Sequence, residues 1–239
     1  MKSELHPALL QLRVPTLSES DLRSILRCGG LRDREAVANL WLSEGIPSAF
    51  SECPGLYEHV RLDLADRLGV TPASISMTGS RRMGYSMNPK QWGHPPRVDS
   101  DLDLFVADEG FFKELVGDFE SWKADFLEER ISAKTVNQQK WWPMNAEEGP
   151  HDVARGFLSP LRIPELPRYR ARSRLGKGIR DTTRSTRVLA KTLRMEGAIG
   201  YAPFPFRVRV YKTWHYALAG LTRSLTVAAG ALRRTEGKK

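Results

Sequence analysis

The chain has 239 residues, of which 41% are hydrophobic and 27% charged, enough for one large domain or two small ones with a buried core. Its two cysteines, Cys28 and Cys53, lack metal-site spacing, and its N-terminal residues lack the apolar segment of a signal peptide. We therefore expect a reduced, cytoplasmic protein that does not interact with membranes, since no apolar stretch approaches a spanning length.

Positive charge is concentrated in the C-terminal part of the chain. The formal net charge is +9 overall, but residues 151–239 hold 20 Lys and Arg against 5 Asp and Glu, a net of +15, which leaves −6 for the rest. An acidic N-terminal part joined to a basic C-terminal part indicates an anionic partner. A nucleoside triphosphate or a nucleic acid is the natural candidate.

The first 50 residues predict a helical lead-in without chemically active groups. Ser18 or Ser20 can cap a helix that reaches about Arg27 and ends at the following glycines. Asp33 can begin a second helix. We interpret both helices as packing elements around a central sheet.

A helix and a short strand come next. Apolar residues at helical spacing predict a helix over residues 54–68 that Gly69 ends. A strand should then run to Gly79 and Ser80. Glycine allows close approach of the backbone to a ligand, and serine offers a hydroxyl and an amide to phosphate oxygens. Arg81 and Arg82 follow, where each would either contact a phosphate or occupy a solvated helix start.

Two carboxylates mark the next strand. Asp101 and Asp103 flank Leu102 in the run DSDLDLFV. Alternate side chains of a strand share one face, so both carboxylates should point the same way while Leu102 and Leu104 enter the core. Carboxylates at this spacing can hold Mg²⁺ or Mn²⁺ together with substrate phosphates. Asp99 has the same parity and is a further candidate ligand if the strand extends that far.

The strings GSRRMG and SDLDLFV together resemble the signature of the DNA polymerase β-like nucleotidyltransferase superfamily, in particular stand-alone bacterial members. The resemblance covers residues 75–106 well and the rest loosely. It implies an α/β (α+β) fold: a core sheet flanked by helices, with helical N-terminal and C-terminal additions. It also implies that Asp101 and Asp103 are catalytic and bind the metal, and that Gly79 and Ser80 bind the nucleotide. Arg82 is a further candidate nucleotide contact from its position just after the turn. By analogy alone, it suggests a role in antiphage defence.

Residues 85–98 form a proline- and glycine-rich insert, longer than this superfamily's usual spacing. We expect it to loop over the mouth of the cleft. There Trp92 would either stack on a base or pack back onto its own domain, and Lys90 could meet a phosphate.

A helix over residues 111–131 should bury an aromatic stripe, and residues 133–168, rich in proline, predict irregular structure. A helix over residues 178–196 then carries six basic residues at steps of 3, 4, 3, 4 and 3, which places them on one face. They are Lys177, Arg180, Arg184, Arg187, Lys191 and Arg194. Like charges repel one another unless something anionic neutralises them, so this face is either a phosphate-binding surface or a solvated one. Arg187 and Lys191 are our candidate nucleotide contacts.

The last predicted strand, Phe206–Tyr211, departs from the superfamily pattern. Most active members carry a third carboxylate on a strand beside the D-x-D strand, whereas this one offers Arg207 and Arg209. The third carboxylate normally helps to hold the metal ion that activates the attacking hydroxyl. Without a third carboxylate there are three alternatives. Asp99 takes its place, the second metal site is weak, or Arg209 offsets the charge of the transition state. A closing helix follows.

These observations predict a catalytic unit in residues 1–132 and a basic, mainly helical unit in residues 133–239 that contributes a strand to the core. The expected activity is Mg²⁺-dependent transfer of a nucleoside monophosphate from an NTP or dNTP to a hydroxyl, with a nucleotide or oligonucleotide acceptor favoured. The alternative is a catalytically impaired protein of the same fold that binds or senses nucleotide or nucleic acid.

Overall fold

The structure, a computed structural model, describes residues 5–10, 17–88, 90–194, 196 and 206–236. The helices that build the fold are α1 (Pro7–Leu10), α2 (Glu19–Cys28), α3 (Leu31–Ser43), α4 (Pro54–Leu68), α5 (Ser80–Met83), α6 (Glu109–Leu127), α7 (Val136–Ala154), α8 (Arg170–Thr192) and α9 (Trp214–Glu236). The strands are β1 (Ile75–Thr78), β2 (Leu102–Ala107), β3 (Phe157–Leu158) and β4 (Phe206–Tyr211). The expected mixture of helices and sheet is confirmed.

The strands form one mixed sheet in the order β1-β2-β4-β3. Strand β2 runs antiparallel to β1, with Thr78 opposite Asp103, and parallel to β4, with Asp103 opposite Arg207. The short strand β3 pairs antiparallel with β4 at the other edge. The late strand predicted over Phe206–Tyr211 therefore lies directly beside the strand that bears the aspartates.

Helices cover both faces of the sheet. Leu102, Leu104 and Val106 of β2 share one buried cluster with residues of α4, α6 and α8. Phe105, which points the opposite way, belongs to a second cluster with residues of α2, α3 and α9. Because side chains alternate along a strand, Asp103 projects from the Phe105 face. The first cluster draws residues from both predicted units, 1–132 and 133–239.

The lead-in to the sheet follows the sequence prediction closely. The hydroxyl of Ser18 accepts a hydrogen bond from the Asp21 amide at 3.1 Å and caps α2. Helix α4 spans Pro54–Leu68 and ends at Gly69, whose φ of +71° closes the helix in a conformation that glycine adopts without strain. Within the described residues, no helix has the length and apolar character needed to cross a bilayer.

The prediction of irregular structure over residues 133–168 is wrong, because this segment contains α7 and β3. Thr135 begins α7 with a capping box: its hydroxyl accepts from the Gln138 amide, and the Gln138 side chain accepts from the Thr135 amide, both at 3.2 Å. Pro143 and Pro150 lie inside the helix, where each removes a backbone donor.

Tertiary packing offsets the cost of these prolines. Trp142 meets the rings of Trp122 and Phe126 on α6 edge-on, at centroid distances of 6.0 and 5.6 Å. Two turns further, Gly149 lies so close to the Phe119 ring that a Cβ there would be 2.1 Å from it. Helix α7 is thus held by its aromatic contacts with α6, which local sequence signals do not reveal.

Helix α8 begins eight residues earlier than predicted. The carboxylate of Asp118 on α6 accepts a hydrogen bond from the Arg172 amide at 2.8 Å, which satisfies a donor of the first turn. Ala171 and Leu175 are buried against the core at helical spacing. Arg170, Arg172 and Arg174, which precede the predicted start, therefore belong to the helix itself.

Candidate functional site

The Gly79–Ser80 turn lies directly against Asp103. Gly79 ends β1 and precedes α5 with a φ of +80°, a conformation that other residues adopt only with strain. A Cβ on Gly79 would be 2.5 Å from Oδ2 of Asp103. Thr78 pairs with Asp103 across the antiparallel strands, so the turn and the carboxylate occupy the same end of the sheet.

The two aspartates have different surroundings. Asp103 lies partly buried within β2, and burial raises its pKa above the ordinary value. The positive charges of Arg209 and Arg207 oppose that rise, and the negative charge of Asp101 adds to it. Asp101 precedes the strand and forms an ion pair with Arg207, whose Nε lies 2.6 Å from Oδ2 of the aspartate. Arg207 is itself mostly exposed, with 67% of its side chain accessible.

Asp99 does not extend the carboxylate row. Strand β2 begins at Leu102, and Asp99 lies before it in an exposed turn where it pairs with Arg97. The turn forms because the Ser100 amide donates to the Arg97 carbonyl at 3.0 Å, while Arg81 donates to the carbonyls of Arg97 and Val98 at 3.1 and 2.7 Å. Asp99 would join Asp101 and Asp103 only if β2 extended back to it, and β2 does not.

The residues present suit one divalent cation better than two. Among the described residues, no three His, Cys, Asp or Glu side chains are grouped so as to hold a metal ion. Mg²⁺ is commonly bound through one or two carboxylates plus substrate phosphates, which is the donor set that Asp101 and Asp103 offer. The position beside Asp103 on β4, where a third carboxylate would complete a second site, holds Arg207.

Arg82, our candidate nucleotide contact in the turn, is turned away from this face. It is buried, and its guanidinium donates to the carbonyl of Glu44 at the end of α3. Burial lowers its pKa. Arg81 is also buried and holds the insert loop. Both arginines therefore position the turn and the loop.

The insert loop, residues 85–98, borders a pocket beside Ser80. The pocket has a volume of about 430 Å³ and is lined by Ser80, Gln91, His94, Arg97 and Ser100, among others. Trp92 packs back onto α2, donating to Glu19 and lying 5.6 Å from the guanidinium of Arg23. The polar lining of the pocket, rather than this tryptophan, faces the Gly79–Ser80 turn.

The basic face of α8 is separated from the aspartates. Helix α8 packs on the Leu102–Leu104 face of the sheet, opposite to the face of Asp103, so the structure does not bring Arg187 or Lys191 to the turn. Part of the face is neutralised within the protein, because Lys177 pairs with Asp181 at 3.0 Å and Arg180 with Glu165 at 2.6 Å.

Arg207 and Arg209 are the cations that the structure does place at the aspartates. Arg207 pairs with Asp101, and Arg209 acts electrostatically on Asp103 while hydrogen-bonding Tyr211. The alternation in FRVRVY indicated that the two arginines share a face, but only the parallel pairing of β4 with β2 shows which groups they meet.

Comparison of the chain with protein-family models, with curated proteins and with solved structures gives no significant match.

Proposed function

We propose that the protein is an Mg²⁺-dependent nucleotidyltransferase that transfers a nucleoside monophosphate from an NTP or dNTP to a hydroxyl group. The observation that carries this proposal is the packing of Gly79 against the carboxylate of Asp103. It brings a backbone turn suited to phosphate oxygens and two carboxylates suited to a cation to one end of the sheet. The pocket beside Ser80 supplies space for the rest of the donor nucleotide.

Each group has a distinct role in the proposed reaction. Gly79 and Ser80 bind phosphate oxygens through backbone amides and the serine hydroxyl. Asp101 and Asp103 hold Mg²⁺ or Mn²⁺, which neutralises charge on the triphosphate when bound. The acceptor oxygen forms a bond to the α-phosphorus, the bond from that phosphorus to the bridging oxygen breaks, pyrophosphate leaves, and the acceptor proton passes to water. No covalent enzyme intermediate is needed.

Arg207 and Arg209 take the place of a third carboxylate. In the proposal, Arg207 exchanges Asp101 for a phosphate oxygen when the nucleotide binds, which frees the carboxylate for the cation. Guanidinium groups suit this exchange because they stay charged and bind phosphate as readily as carboxylate. Arg207 then stabilises the negative charge that develops on the pyrophosphate in the transition state, and Arg209 offsets negative charge beside Asp103.

A second candidate function is nucleotide binding without turnover. The ion pair between Asp101 and Arg207 favours it, because a carboxylate committed to a guanidinium is a weaker metal ligand. Such a protein would bind the triphosphate through its arginines and need no divalent cation.

Label transfer separates the two functions. The protein is incubated with Mg²⁺ or Mn²⁺ and each α-³²P-labelled NTP and dNTP, with and without oligonucleotide, and the products are resolved on a gel. A labelled product is expected from the native protein and from Asp66→Asn, a matched control at an exposed position on α4, but not from Asp103→Asn. Absence of product from every nucleotide, with triphosphate binding intact in EDTA, would establish the binding function instead.

A further inference from the structure

A groove opens at the β3 edge of the sheet, between α7 and β3. It has a volume of about 810 Å³, and its lining includes Trp141, Met144, Phe157, Arg162 and Arg209. We refer to it as the α7–β3 groove. No residue of this groove has a role in the transfer reaction apart from Arg209.

Arg209 connects the groove to the aspartates. It projects from β4 on the same face as Arg207, and its charge acts on Asp103. Phe157 shares that face, since its ring packs 5.3 Å from the ring of Tyr211. A ligand lying along the groove would therefore reach Arg209 at one end. Because the sheet order is β1-β2-β4-β3, it would approach the carboxylates of β2 from the β4 side, whereas the Gly79–Ser80 turn lies on the β1 side.

The lining combines an aromatic surface with amides and cations. Trp141 is 46% exposed, which leaves part of its ring accessible to a ligand, and Lys140 lies 4.9 Å from the centre of the ring. Asn137 adds an amide group that can pair with a base edge, whereas Gln138 caps α7 and Asn145 is hydrogen-bonded to Arg162. Aromatic rings that stack on bases, with cations that follow the backbone, are the usual means of binding single-stranded nucleic acid.

Paired cations offset most of the acidic charge in the groove. Arg162 pairs with Asp152 at 2.6 Å and with Glu148 at 3.1 Å, which leaves one net negative charge among these three side chains. Arg209 in the lining and Lys140 beside Trp141 add two positive charges, for a net of +1. This small positive excess favours a nucleic acid over a basic peptide.

We propose that the α7–β3 groove binds the end of a single-stranded nucleic acid as the acceptor, with a base stacked on Trp141 and a phosphate on Arg209. The inference rests on the proposed transferase function for the reaction, but the binding itself needs no turnover. It assigns the acceptor class: a single-stranded end that presents its terminal hydroxyl to the Asp101–Asp103 pair.

Binding is tested without catalysis. Fluorescein-labelled single-stranded DNA and RNA homopolymers are titrated with the protein in EDTA, and anisotropy is recorded. Loss of one stacking contact predicts about tenfold weaker binding for Trp141→Ala. Trp141→Phe should bind nearly as the native protein does, and so should Val188→Ala, an exposed control on α8 that is 64% accessible. Equal affinity of the native protein and Trp141→Ala, or no binding of any strand, would overturn the proposal.

Photo-crosslinking locates the bound strand. An oligonucleotide that carries 5-iodouracil near its 3′ end should crosslink to the α7 segment around Trp141, as read by mass spectrometry of the digested protein. A crosslink confined to α8 would overturn the proposal and indicate its basic face instead. Crosslinking at Trp141 without any labelled product in the transfer assay would support the groove as a binding site and contradict the proposed transferase activity. Product formation with an unchanged acceptor KM in Trp141→Ala would support the transferase activity and contradict the groove as the acceptor site.

Discussion

Nε of Arg207 lies 2.6 Å from Oδ2 of Asp101 in an ion pair, and Arg207 occupies the strand position beside Asp103. The pair joins β4 to the residue that precedes β2. It places a permanent cation where a second metal ion would require a carboxylate. The chemistry of this site therefore depends on an arginine as much as on its two aspartates.

Removal of that arginine should impair function while leaving the fold intact. The ion pair is largely solvated, so Arg207→Ala should change the free energy of unfolding by less than about 1 kcal/mol. Triphosphate binding should weaken markedly, because the guanidinium is the proposed phosphate contact. Urea unfolding and nucleotide titration measure the two effects. Arg174→Ala, which breaks a comparable exposed pair with Glu114, is the control and should change neither.

Gly79→Ala should abolish transfer through a local clash. The backbone of Gly79, with a φ of +80° and a ψ of −171°, lies in a region essentially restricted to glycine, so alanine there costs about 1–3 kcal/mol, and the added Cβ would also displace the carboxylate of Asp103. Gly69→Ala is a control for a positive φ without a clash, since its φ is +71° and a Cβ there meets nothing within 4 Å. Gly69→Ala should lose less stability than Gly79→Ala, because Gly69 is in the left-handed helical region, as chemical denaturation would show. Only Gly79→Ala should lose labelled product, and equal activity of the two would contradict the role given to the turn.

Asp103 should reduce stability at neutral pH. Burial raises its pKa in the folded protein, so the native state favours the protonated carboxyl, and stability is lost as pH rises through that raised pKa. Asp103→Asn should therefore unfold at a higher denaturant concentration than the native protein at pH 7. The difference should shrink as pH falls towards the ordinary aspartate pKa of 3.8.

Asp63 provides the opposite case for the same experiment. Burial alone would raise its pKa, but hydrogen bonds from Arg67 and Thr182 lower it overall. Its contribution is present above the ordinary pKa and is lost as pH falls through the lowered value. Asp63→Asn should thus destabilise the protein at pH 7. The same sign of effect for both variants would contradict the assignment of Asp103.

Gly149→Ala tests the contact that holds α7 on α6. Its Cβ would meet the Phe119 ring at 2.1 Å, and overpacking of this kind costs about 1–3 kcal/mol. Gly117→Ala on α6 has open space around the new Cβ and should instead stabilise the helix by about 0.5–1 kcal/mol. Urea denaturation distinguishes the two, and equal stability would show that α7 is not packed as described.

Elements could be predicted correctly where the sequence signal lies within the element's own residues. Phe206–Tyr211 was assigned from the alternation of valine with arginine, and Pro54–Leu68 from helical spacing and a glycine stop; both bounds are confirmed. Helix α7 was missed because prolines signal a break locally, whereas the contacts that stabilise it come from Trp122 and Phe126 on another helix.

The sequence selects candidate residues for the site but does not reveal their surroundings. Strand parity selects Asp101 and Asp103, the end of the predicted strand selects Gly79, and the structure places Gly79 against Asp103. The charges around them could not be predicted, since the sequence does not reveal that α8 covers the opposite face or that Arg207 reaches Asp101. Those facts depend on sheet order, which brings residues about 100 positions apart into contact.

Binding of Mn²⁺ tests the central claim most directly. Electron paramagnetic resonance would count the bound ion in the presence of a non-hydrolysable α,β-methylene triphosphate, for the native protein, Asp103→Asn and the Asp66→Asn control. We predict a single nucleotide-dependent Mn²⁺ per chain in the native protein and in the control, and none in Asp103→Asn. Absence of bound Mn²⁺ from the native protein, or unchanged binding in Asp103→Asn, would contradict the assignment of Asp101 and Asp103 as a cation site.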